Sequence, residues 1–467
     1  MSNRPATLGQ LRASGWRSVP VKQEIQRNAL AKIKAGEPLV EGVMGYEDTV
    51  LPQLENAVLA GHDIVFLGER GQAKTRMIRS LTGLLDEWLP IVAGSEILDD
   101  PYAPVSRPAR DLIAEKGDDA PIEWVHRDDR FGEKLATPDT SIADLIGEVD
   151  PIKVAEGRYL ADELTLHYGL VPRTNRGIFA INELPDLSER IQVGLLNVLE
   201  ERDIQIRGYK VRLPLDVLLV ASANPEDYTN RGRIITPLKD RFGAQIRTHY
   251  PLEVDTEVAI AKQESRPFEV EGVDVRIPEW MDEIVATFSH LARGSSNVSQ
   301  RSGVSVRLTV SNRETMVANA VRRSLRLGED VVAPRVSDLD ALAASTMGKV
   351  EVESFEEGRE GDIIGKLLQQ AVLTVFRDRI GTGIAGPVVD SFEDGEVIHT
   401  GEDVSVADYA ARLDERPGLA EIVDELAGDG ATPAERASAA ELVLEGLHLS
   451  KRLNKDAVGA RATYRSR

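Results

Sequence analysis

The sequence predicts an α/β domain with a parallel sheet and helices on both faces, followed by a helical region. A glycine-containing loop, residues 68–75, follows an apolar run and precedes an amphipathic helix. Two further apolar runs, residues 178–181 and 217–223, have the length and β-branching of buried strands, and a polar residue follows each. Beyond about Pro251 the strand pattern fades, and apolar residues recur at helical spacing.

The composition limits the class of protein. A chain of 467 residues exceeds what one hydrophobic core usually serves, so two or three domains are expected. The absence of cysteine excludes disulfides and cysteine metal sites and fits the cytoplasm. The polar N-terminus predicts no signal peptide, and no stretch approaches the roughly 18 apolar residues of a membrane span. The formal net charge of −21 argues against nucleic acid as a partner.

The loop Gly68-Glu69-Arg70-Gly71-Gln72-Ala73-Lys74-Thr75 has the context of a phosphate-binding loop. Successive backbone N–H groups of such a loop surround the phosphates. Lys74 is then expected to reach the terminal phosphates, and the Thr75 hydroxyl to bind Mg²⁺. Ala73 stands where the usual pattern has glycine, so it must tolerate the backbone angles of the loop. The alternative is a strand–turn–helix with a chance Lys-Thr pair.

The segments around this loop are less specific. A glycine-flanked apolar turn, residues 42–46, precedes the first strand, and we expect it either to pack against a bound base or to be a plain connector. The proline-dotted segment 90–120 is typical of an insertion or long loop. Residues 122–126 are predicted to form the second strand of the α/β domain. Residues 204–213 alternate around Gly208, as a hairpin does.

Polar residues stand where the predicted strands end. Asn182 and Glu183 follow one buried run, and Asn224 follows the next. Because open α/β sheets bind ligands at the carboxyl ends of their strands, Glu183 is placed to polarise a water or to hold Mg²⁺, and Asn224 to orient the water. Charge that builds on a γ-phosphate calls for an arginine, often from a neighbouring subunit. Arg241 is the first candidate and Arg307 the second.

These motifs together resemble the AAA+ ATPases, and within them the MoxR and magnesium-chelatase ATPase-subunit branch. Gly71-Gln72-Ala73-Lys74-Thr75 is similar to the Gly-Leu-Ala-Lys-Thr variant common in MoxR proteins, which accounts for Ala73. Leu238-Lys239-Asp240-Arg241-Phe242-Gly243 is similar to the Leu-Leu-Asp-Arg-Phe-Gly of the chelatase subunit. The other similar stretches are residues 89–94, 144–147, 156–158 and 169–178. The resemblance covers roughly residues 38 to 347.

The resemblance implies a P-loop AAA+ five-stranded parallel sheet, with ATP and Mg²⁺ as cofactors held between the subunits of a hexameric homo-oligomer. It also implies a partner with a von Willebrand factor A domain and a client protein that is remodelled or loaded with metal. The implied roles are phosphate and Mg²⁺ contact for Lys74 and Thr75, catalytic base for Glu183, sensor 1 for Asn224, trans-acting arginine finger for Arg241, and sensor 2 for Arg307, with Arg313 as the alternative.

One departure from this family concerns the metal site, which we expect to comprise Thr75, Asn182 and Glu183. The family has Asp-Glu where this chain has Asn182-Glu183, and a neutral amide supports Mg²⁺ less well. Hydrolysis is therefore expected to be slow, and a nucleotide-gated scaffold without efficient turnover is an alternative. A DNA-acting motor or activator is disfavoured by the acidity and by the lack of a Gly-Ala-Phe-Thr-Gly-Ala loop.

The predicted organisation has four segments. They are an N-terminal helical segment (1–37), the AAA+ nucleotide-binding α/β domain (38–251), an all-helical lid domain (252–350) and a mostly helical C-terminal extension with an acidic, glycine-rich linker (351–467). A basic tail starts at Lys451 and is expected to be frayed.

Overall fold

The computed structural model describes residues 4–150, 163–200, 203–205, 212–224, 232–299, 303–352, 360–381, 388, 397–458 and 461–466. The chain forms two compact units, Met1–His249 and Tyr250–Arg467, which divide close to the predicted end of the α/β domain. Within the described residues, no helix is both long and apolar enough to cross a membrane.

The first unit alternates helices with strands. Its helices are α1 (Leu8–Ala13), α2 (Val21–Ala35), α3 (Val50–Leu59), α4 (Lys74–Ser80), α5 (Arg107–Lys116), α6 (Ile142–Leu145), α7 (Leu170–Arg173), α8 (Glu189–Glu200) and α9 (Thr236–Arg241). Its strands are β1 (Ile64–Leu67), β2 (Trp88–Val92), β3 (Ile122–His126), β4 (Phe131–Leu135), β5 (Gly147–Val149), β6 (Leu166–Tyr168), β7 (Gly177–Asn182), β8 (Asp203–Gln205), β9 (Arg212–Pro214), β10 (Val217–Ala223) and β11 (Ala244–Arg247).

The core of this unit is a five-stranded sheet in the order β11-β1-β10-β7-β4. Every neighbouring pair in it is parallel. Each residue of β1, β7 and β10 is buried, as the continuous apolar runs predicted, because helices cover both faces of a parallel sheet. The predicted fold class is therefore confirmed. The antiparallel pairing of β8 with β9 agrees with the predicted hairpin, whose tip lies outside the described residues.

Alternate residues of the central strands pack into two different hydrophobic cores, one on each face of the sheet. Ile64, Phe66, Ile178, Ala180 and Val220 belong to the core that includes apolar residues of α2, α3 and α4. Their neighbours along the strands belong to the opposite core, with α6, α8 and α9. The helix that follows the glycine-containing loop thus packs on a defined face of the sheet.

The second strand of the sheet is not the one predicted from the sequence. Residues 122–126 do form a strand, β3, but it pairs antiparallel with β2 in a separate two-stranded sheet. The sheet position belongs to β4, an edge strand with the sequence Phe-Gly-Glu-Lys-Leu. An edge strand has a neighbouring strand on one side only, so charged residues are tolerated in it. For this reason β4 has no apolar run. The segment 90–120 is also more ordered than predicted, since it contains α5 and part of β2.

A buried ion pair connects α2 to the start of β7. Arg130 is fully buried and donates to both carboxylate oxygens of Glu24, at 2.8 and 2.7 Å. The same guanidinium donates to the backbone oxygen of Arg176, the residue before β7, at 2.9 and 2.6 Å. Glu24 also accepts the backbone N–H of Asp86 at 2.6 Å. The charges are thus satisfied inside the unit, as buried charges must be.

The second unit is mainly helical. Its helices are α10 (Val254–Glu264), α11 (Glu279–Gly294), α12 (Val306–Leu327), α13 (Leu342–Thr346), α14 (Glu360–Ile380), α15 (Val406–Asp414), α16 (Pro417–Ala427) and α17 (Pro433–Leu449). Its strands are β12 (Asp274–Val275), β13 (Val331–Val332), β14 (Val397–Gly401), β15 (Leu453–Val458) and β16 (Arg461–Ser466). The short β12–β13 pair means that the predicted lid region is not entirely helical. One hydrophobic core includes residues on both sides of position 350, and the division into a lid and an extension stays a prediction.

The C-terminal tail is ordered, so the prediction of a frayed tail was wrong. β15 and β16 form an antiparallel hairpin, and β14 pairs with β16. Tyr464 of this hairpin is buried and its hydroxyl bonds Glu445 of α17, which also pairs with Lys455 at 2.7 Å. Net basic composition predicted a solvated tail, but backbone pairing and the buried tyrosine hold the strands against the unit.

A buried carboxylate in the second unit makes its stability depend on pH. Glu257 accepts two hydrogen bonds from Arg293, at 2.6 and 2.7 Å, and one from Thr309, and His290 Nε2 lies 2.8 Å from its carboxylate. Burial alone raises the pKa of Glu257, but these donors outweigh burial and lower it from 4.5 to about 2. Since the folded pKa is below the unfolded one, the stabilisation is complete above pH 4.5 and disappears as the pH falls toward 2.

We expect the second unit to lose about 3 kcal/mol of unfolding free energy through this group between pH 4.5 and 2. Glu257→Gln should destabilise the unit at pH 7 and flatten this acid dependence, because Gln does not titrate. Urea unfolding at several pH values measures both effects. Glu271→Gln, at an exposed carboxylate, is the matched control. Equal acid dependence in Glu257→Gln and the wild type would contradict this assignment.

Candidate functional site

The loop between β1 and α4 has backbone angles suited to a cradle of N–H groups. Gly71 and Ala73 both have positive φ, 76° and 55°. Ala73 therefore tolerates the left-handed conformation, as the sequence required, at a cost of about 1 kcal/mol for a residue with a Cβ. When residues in the left-handed conformation alternate with residues in the right-handed helical conformation, their successive backbone N–H groups point toward a common anion.

Gly68 and Gln72 fix the shape of the loop. A Cβ on Gly68 would collide with Thr248 Oγ1 and Gln72 Oε1, so a larger residue there would displace these two side chains. Thr248 Oγ1 donates to Gln72 Oε1 at 2.7 Å. Gln72 is buried, and this hydrogen bond connects its side chain to Thr248, the residue after β11.

Tyr46, in the turn 42–46, holds the same loop from another side. Its hydroxyl lies 3.0 Å from the backbone oxygen of Gln72 and 2.7 Å from that of His249. The His249 ring packs edge-on against Tyr46 and bonds Thr49 at 2.8 Å. Burial raises the pKa of Tyr46, so its hydroxyl stays protonated and can donate. The turn is thus a support for the phosphate loop, and base contact stays a prediction.

Lys74 is buried at the start of α4. Its ammonium donates to the backbone oxygens of Gly68 and Glu69, the second at 2.7 Å. Because its ammonium already lies against the loop, it is placed to donate to phosphate oxygens in place of these two carbonyl oxygens. Thr75, the next residue, is half-buried.

Three neighbouring strands bring the predicted polar residues to one edge of the sheet. Leu67 at the end of β1 pairs with Ala223 of β10, and Ala221 pairs with Ile181 of β7. The segments that follow these parallel strands carry Lys74, Asn224 and Glu183, and therefore leave the sheet at its carboxyl edge. The predicted grouping of these residues at one edge thus follows from the register, while their catalytic roles stay predictions.

Glu183 has a strained backbone. Its φ and ψ are 55° and 48°, the left-handed region that non-glycine residues rarely occupy, and its N–H lies 3.3 Å from Ser222 Oγ. Such strain costs about 1–3 kcal/mol and is concentrated at functional sites. The turn directs the chain abruptly out of β7 at Glu183.

Two residues that the sequence did not single out lie beside Asn182. Asn182 Nδ2 donates to Glu133 Oε1 of β4 at 2.5 Å, and Ser222 Oγ of β10 donates to Asn182 Oδ1 at 3.3 Å. Arg79 of α4 donates to Glu133 Oε2 at 2.9 Å. A sequence signal for Glu133 was available only through recognition of β4, which has no apolar run.

The predicted arginines lie in different environments. Arg241 ends α9, is about a third exposed and lies 3.6 Å from Asp240 Oδ2. Arg307 is exposed in the first turn of α12. Arg313 donates to the buried Asp282 at 2.8 Å, and its side chain is 14 % exposed. Arg307 is therefore the more accessible of the two sensor 2 candidates.

The residues fit a metal that arrives with a nucleotide. Among the residues that the structure describes, no group of three or more His, Asp or Glu side chains could hold an ion alone. Mg²⁺ is usually bound by one or two carboxylates together with phosphates and waters, so it needs no closed protein cage. The glycine cradle and the strand-end carboxylate of Glu183 meet that requirement.

Comparisons with known families and solved structures found similar proteins. The sequence model of the sigma-54 interaction domain matches residues 156–241, a stretch that includes Asn182, Glu183, Asn224 and Arg241. No curated protein matches the sequence. Among solved structures, NtrX from Brucella abortus is 15 % identical with a TM-score of 0.38, over 76 % of this chain and 68 % of NtrX. A complex of the magnesium-chelatase subunits BchI and BchD is 18 % identical with a TM-score of 0.32, over 75 % of this chain and 97 % of that one.

The first unit has a P-loop α/β fold. This conclusion rests on its five-stranded parallel sheet, flanking helices and glycine loop after β1. A helical unit follows it, as the sequence predicted.

Proposed function

We propose that this protein is an AAA+ ATPase that binds ATP and Mg²⁺ at the carboxyl edge of its five-stranded sheet. Hydrolysis would drive the remodelling or metallation of a protein client, as the likeness to the MoxR and magnesium-chelatase branch suggests. The observation that carries the proposal is the strained phosphate loop with its buried Lys74, beside the strand ends that carry Glu183 and Asn224. The lack of cysteine fits action in the cytoplasm.

Each residue has a defined task in this proposal. The loop N–H groups and Lys74 bind the β- and γ-phosphates, while Thr75 contributes a hydroxyl to Mg²⁺. Mg²⁺ supplies charge neutralisation at these phosphates. Glu183 accepts a proton from the attacking water, and Asn224 orients that water. Arg307, exposed on α12, is our sensor 2 candidate.

The proposed assembly is a homo-oligomeric ring, a hexamer, with ATP between subunits. Its support is the position of Arg241, at the end of a short helix and partly exposed, together with the Asp-Arg-Phe sequence shared with the chelatase subunit. An arginine from a neighbouring subunit stabilises the charge of the transferred phosphoryl group in trans. A protein with a von Willebrand factor A domain is the proposed partner.

A mixing experiment tests the shared site. Arg241→Ala and Lys74→Ala should each lose most ATPase activity, because each removes one half of a site formed by two subunits. Mixed at several ratios, they should recover part of the activity, since some interfaces then combine an intact Lys74 with an intact Arg241. Phosphate release measures this recovery. No recovery, with mixed rings shown by native mass spectrometry, would contradict an intersubunit finger.

Asn182 favours a second candidate, a nucleotide-gated scaffold. An uncharged side chain at this strand end weakens support for Mg²⁺, so the chain would bind ATP and assemble with little turnover. Negligible phosphate release in the presence of the partner would support this alternative, and rapid release would exclude it.

The match to the sigma-54 interaction domain favours a third candidate, a transcription activator. The sequence lacks the Gly-Ala-Phe-Thr-Gly-Ala loop of enhancer-dependent activators, and its net charge is −21. Salt-sensitive retention of DNA by the purified protein would support this candidate over the other two.

A further inference from the structure

A carboxylate lies one strand away from the neutral Asn182. Glu133 is on β4, the neighbour of β7 in the sheet, and accepts the 2.5 Å bond from Asn182 Nδ2. In the strand register Glu133 lies opposite Ala180, two positions before Asn182. Residues two apart share a face, so Glu133 and Asn182 are diagonal neighbours on one face of the sheet. A negative charge is therefore located beside the end of β7.

The hydrogen bonds define the orientation of the Asn182 amide. Its nitrogen faces the Glu133 carboxylate, since an amide oxygen in that position would repel it. Its oxygen faces Ser222 Oγ at 3.3 Å. With its nitrogen and oxygen both engaged by neighbouring strands, Asn182 is placed to position Glu133 rather than to bind a cation itself.

Glu133 lies on the side of the sheet that α4 covers. Phe131, Ala180 and Val220 on this face pack in the same core as residues of α4. Arg79 of α4 contacts Glu133 through Nε and Nη2, both at 2.9 Å. Thr75 precedes Arg79 by four residues in α4, and residues at this spacing share a helix face. The carboxylate therefore lies along the same flank of α4 as the Thr75 hydroxyl.

We propose that Glu133 is the carboxylate that supports the Mg²⁺ of the bound nucleotide through the waters of the ion. The inference rests on the proposed ATP binding. In it, Glu133 of β4 supplies the negative charge that the neutral Asn182 of β7 lacks. Mg²⁺ keeps several waters in protein sites, so a carboxylate can act on it without direct coordination. The Arg79 side chain is 63 % exposed, and such an exposed partner holds a carboxylate only weakly against a divalent cation.

The test measures binding of the non-hydrolysable analogue AMPPNP to the full chain, with Mg²⁺ and with EDTA. The dissociation constant measured in EDTA divided by the one measured with Mg²⁺ gives the benefit of Mg²⁺ for AMPPNP binding. Glu133→Gln should lower this ratio by about 10- to 100-fold, the usual effect of removing an outer-shell partner, and leave binding in EDTA unchanged. The double variant Asn182→Asp/Glu133→Gln, which moves the carboxylate to β7 and keeps an amide on β4, should restore most of the benefit.

Arg79→Gln is the matched control, because it removes the ion pair and keeps the carboxylate. Its Mg²⁺ benefit should equal or exceed that of the wild type, and a loss like that of Glu133→Gln would overturn the proposal. An unchanged ratio in Glu133→Gln, or equal weakening with Mg²⁺ and EDTA, would also overturn it. If the wild type binds no AMPPNP in either condition, the proposed function itself fails, and this outcome is distinct from the others.

Discussion

Glu183→Gln is expected to abolish measurable steady-state ATP hydrolysis while ATP still binds. The amide cannot accept the proton of the attacking water, and loss of a general base costs about 10²- to 10⁴-fold in rate. The left-handed backbone at Glu183 tolerates the replacement, since Gln has the same shape and the strain lies in the main chain. Phosphate release measures hydrolysis, and equilibrium binding of labelled ATP measures affinity.

Lys74→Ala gives the complementary result. The Lys74 ammonium is the positive charge of the loop that is expected to contact the terminal phosphates, so its loss should weaken ATP binding as well as hydrolysis. Turnover by Glu183→Gln at the wild-type rate would remove Glu183 from the role of base. Weak ATP binding by Glu183→Gln would instead indicate that this substitution disturbs the phosphate loop, because Glu183 is expected to act in hydrolysis and not in binding.

Glu24→Gln is expected to destabilise the first unit by about 3–5 kcal/mol, because it leaves Arg130 as a buried, uncompensated charge. Arg130 is fully buried, and the Glu24 side chain is 4 % exposed. The unit should therefore unfold at a lower urea concentration. Circular dichroism during urea titration measures the shift of its transition.

Two comparisons isolate the buried charge. The double variant Glu24→Met/Arg130→Met should recover much of the loss, because apolar residues of similar volume often replace a buried pair at little cost. Asp118→Asn breaks the exposed pair with Arg12, whose side chains are 57 % and 64 % exposed, and should change stability by less than about 1 kcal/mol. A Glu24→Gln effect as small as that of Asp118→Asn would show that Glu24 does not compensate the buried charge of Arg130.

Sequence patterns located the buried strands well and the edge strand poorly. β1, β7 and β10 are covered on both faces, so their residues must be apolar and the runs stand out. β4 is an edge strand and carries Glu133 and Lys134. Residues 122–126 have the same kind of pattern as a sheet strand but pair with β2 instead. The local pattern of apolar residues indicates that a segment forms a strand. The strand with which it pairs depends on contacts between residues that are distant in sequence.

The same contrast applies to the arginines. The sequence favoured Arg307 as sensor 2 and kept Arg313 as the alternative, since both lie in the same predicted helical region. The structure shows Arg313 bonded to Asp282, a residue 31 positions earlier in the chain, while Arg307 is exposed. Burial raises the pKa of Asp282, and the nearby Arg313 and Lys262 oppose that rise by favouring its charged form.

By itself, the sequence determined the α/β class, the phosphate loop and the polar residues at the ends of two strands. These features follow from local rules, in which apolar runs, glycine positions and neighbouring polar residues are read along the chain. Only the tertiary structure decided that β4 borders β7 and that a carboxylate lies beside Asn182. The physical reason is that strand order depends on which faces can be buried together. It therefore joins segments that are distant in sequence, such as β4 and β7, and local patterns do not encode these pairings.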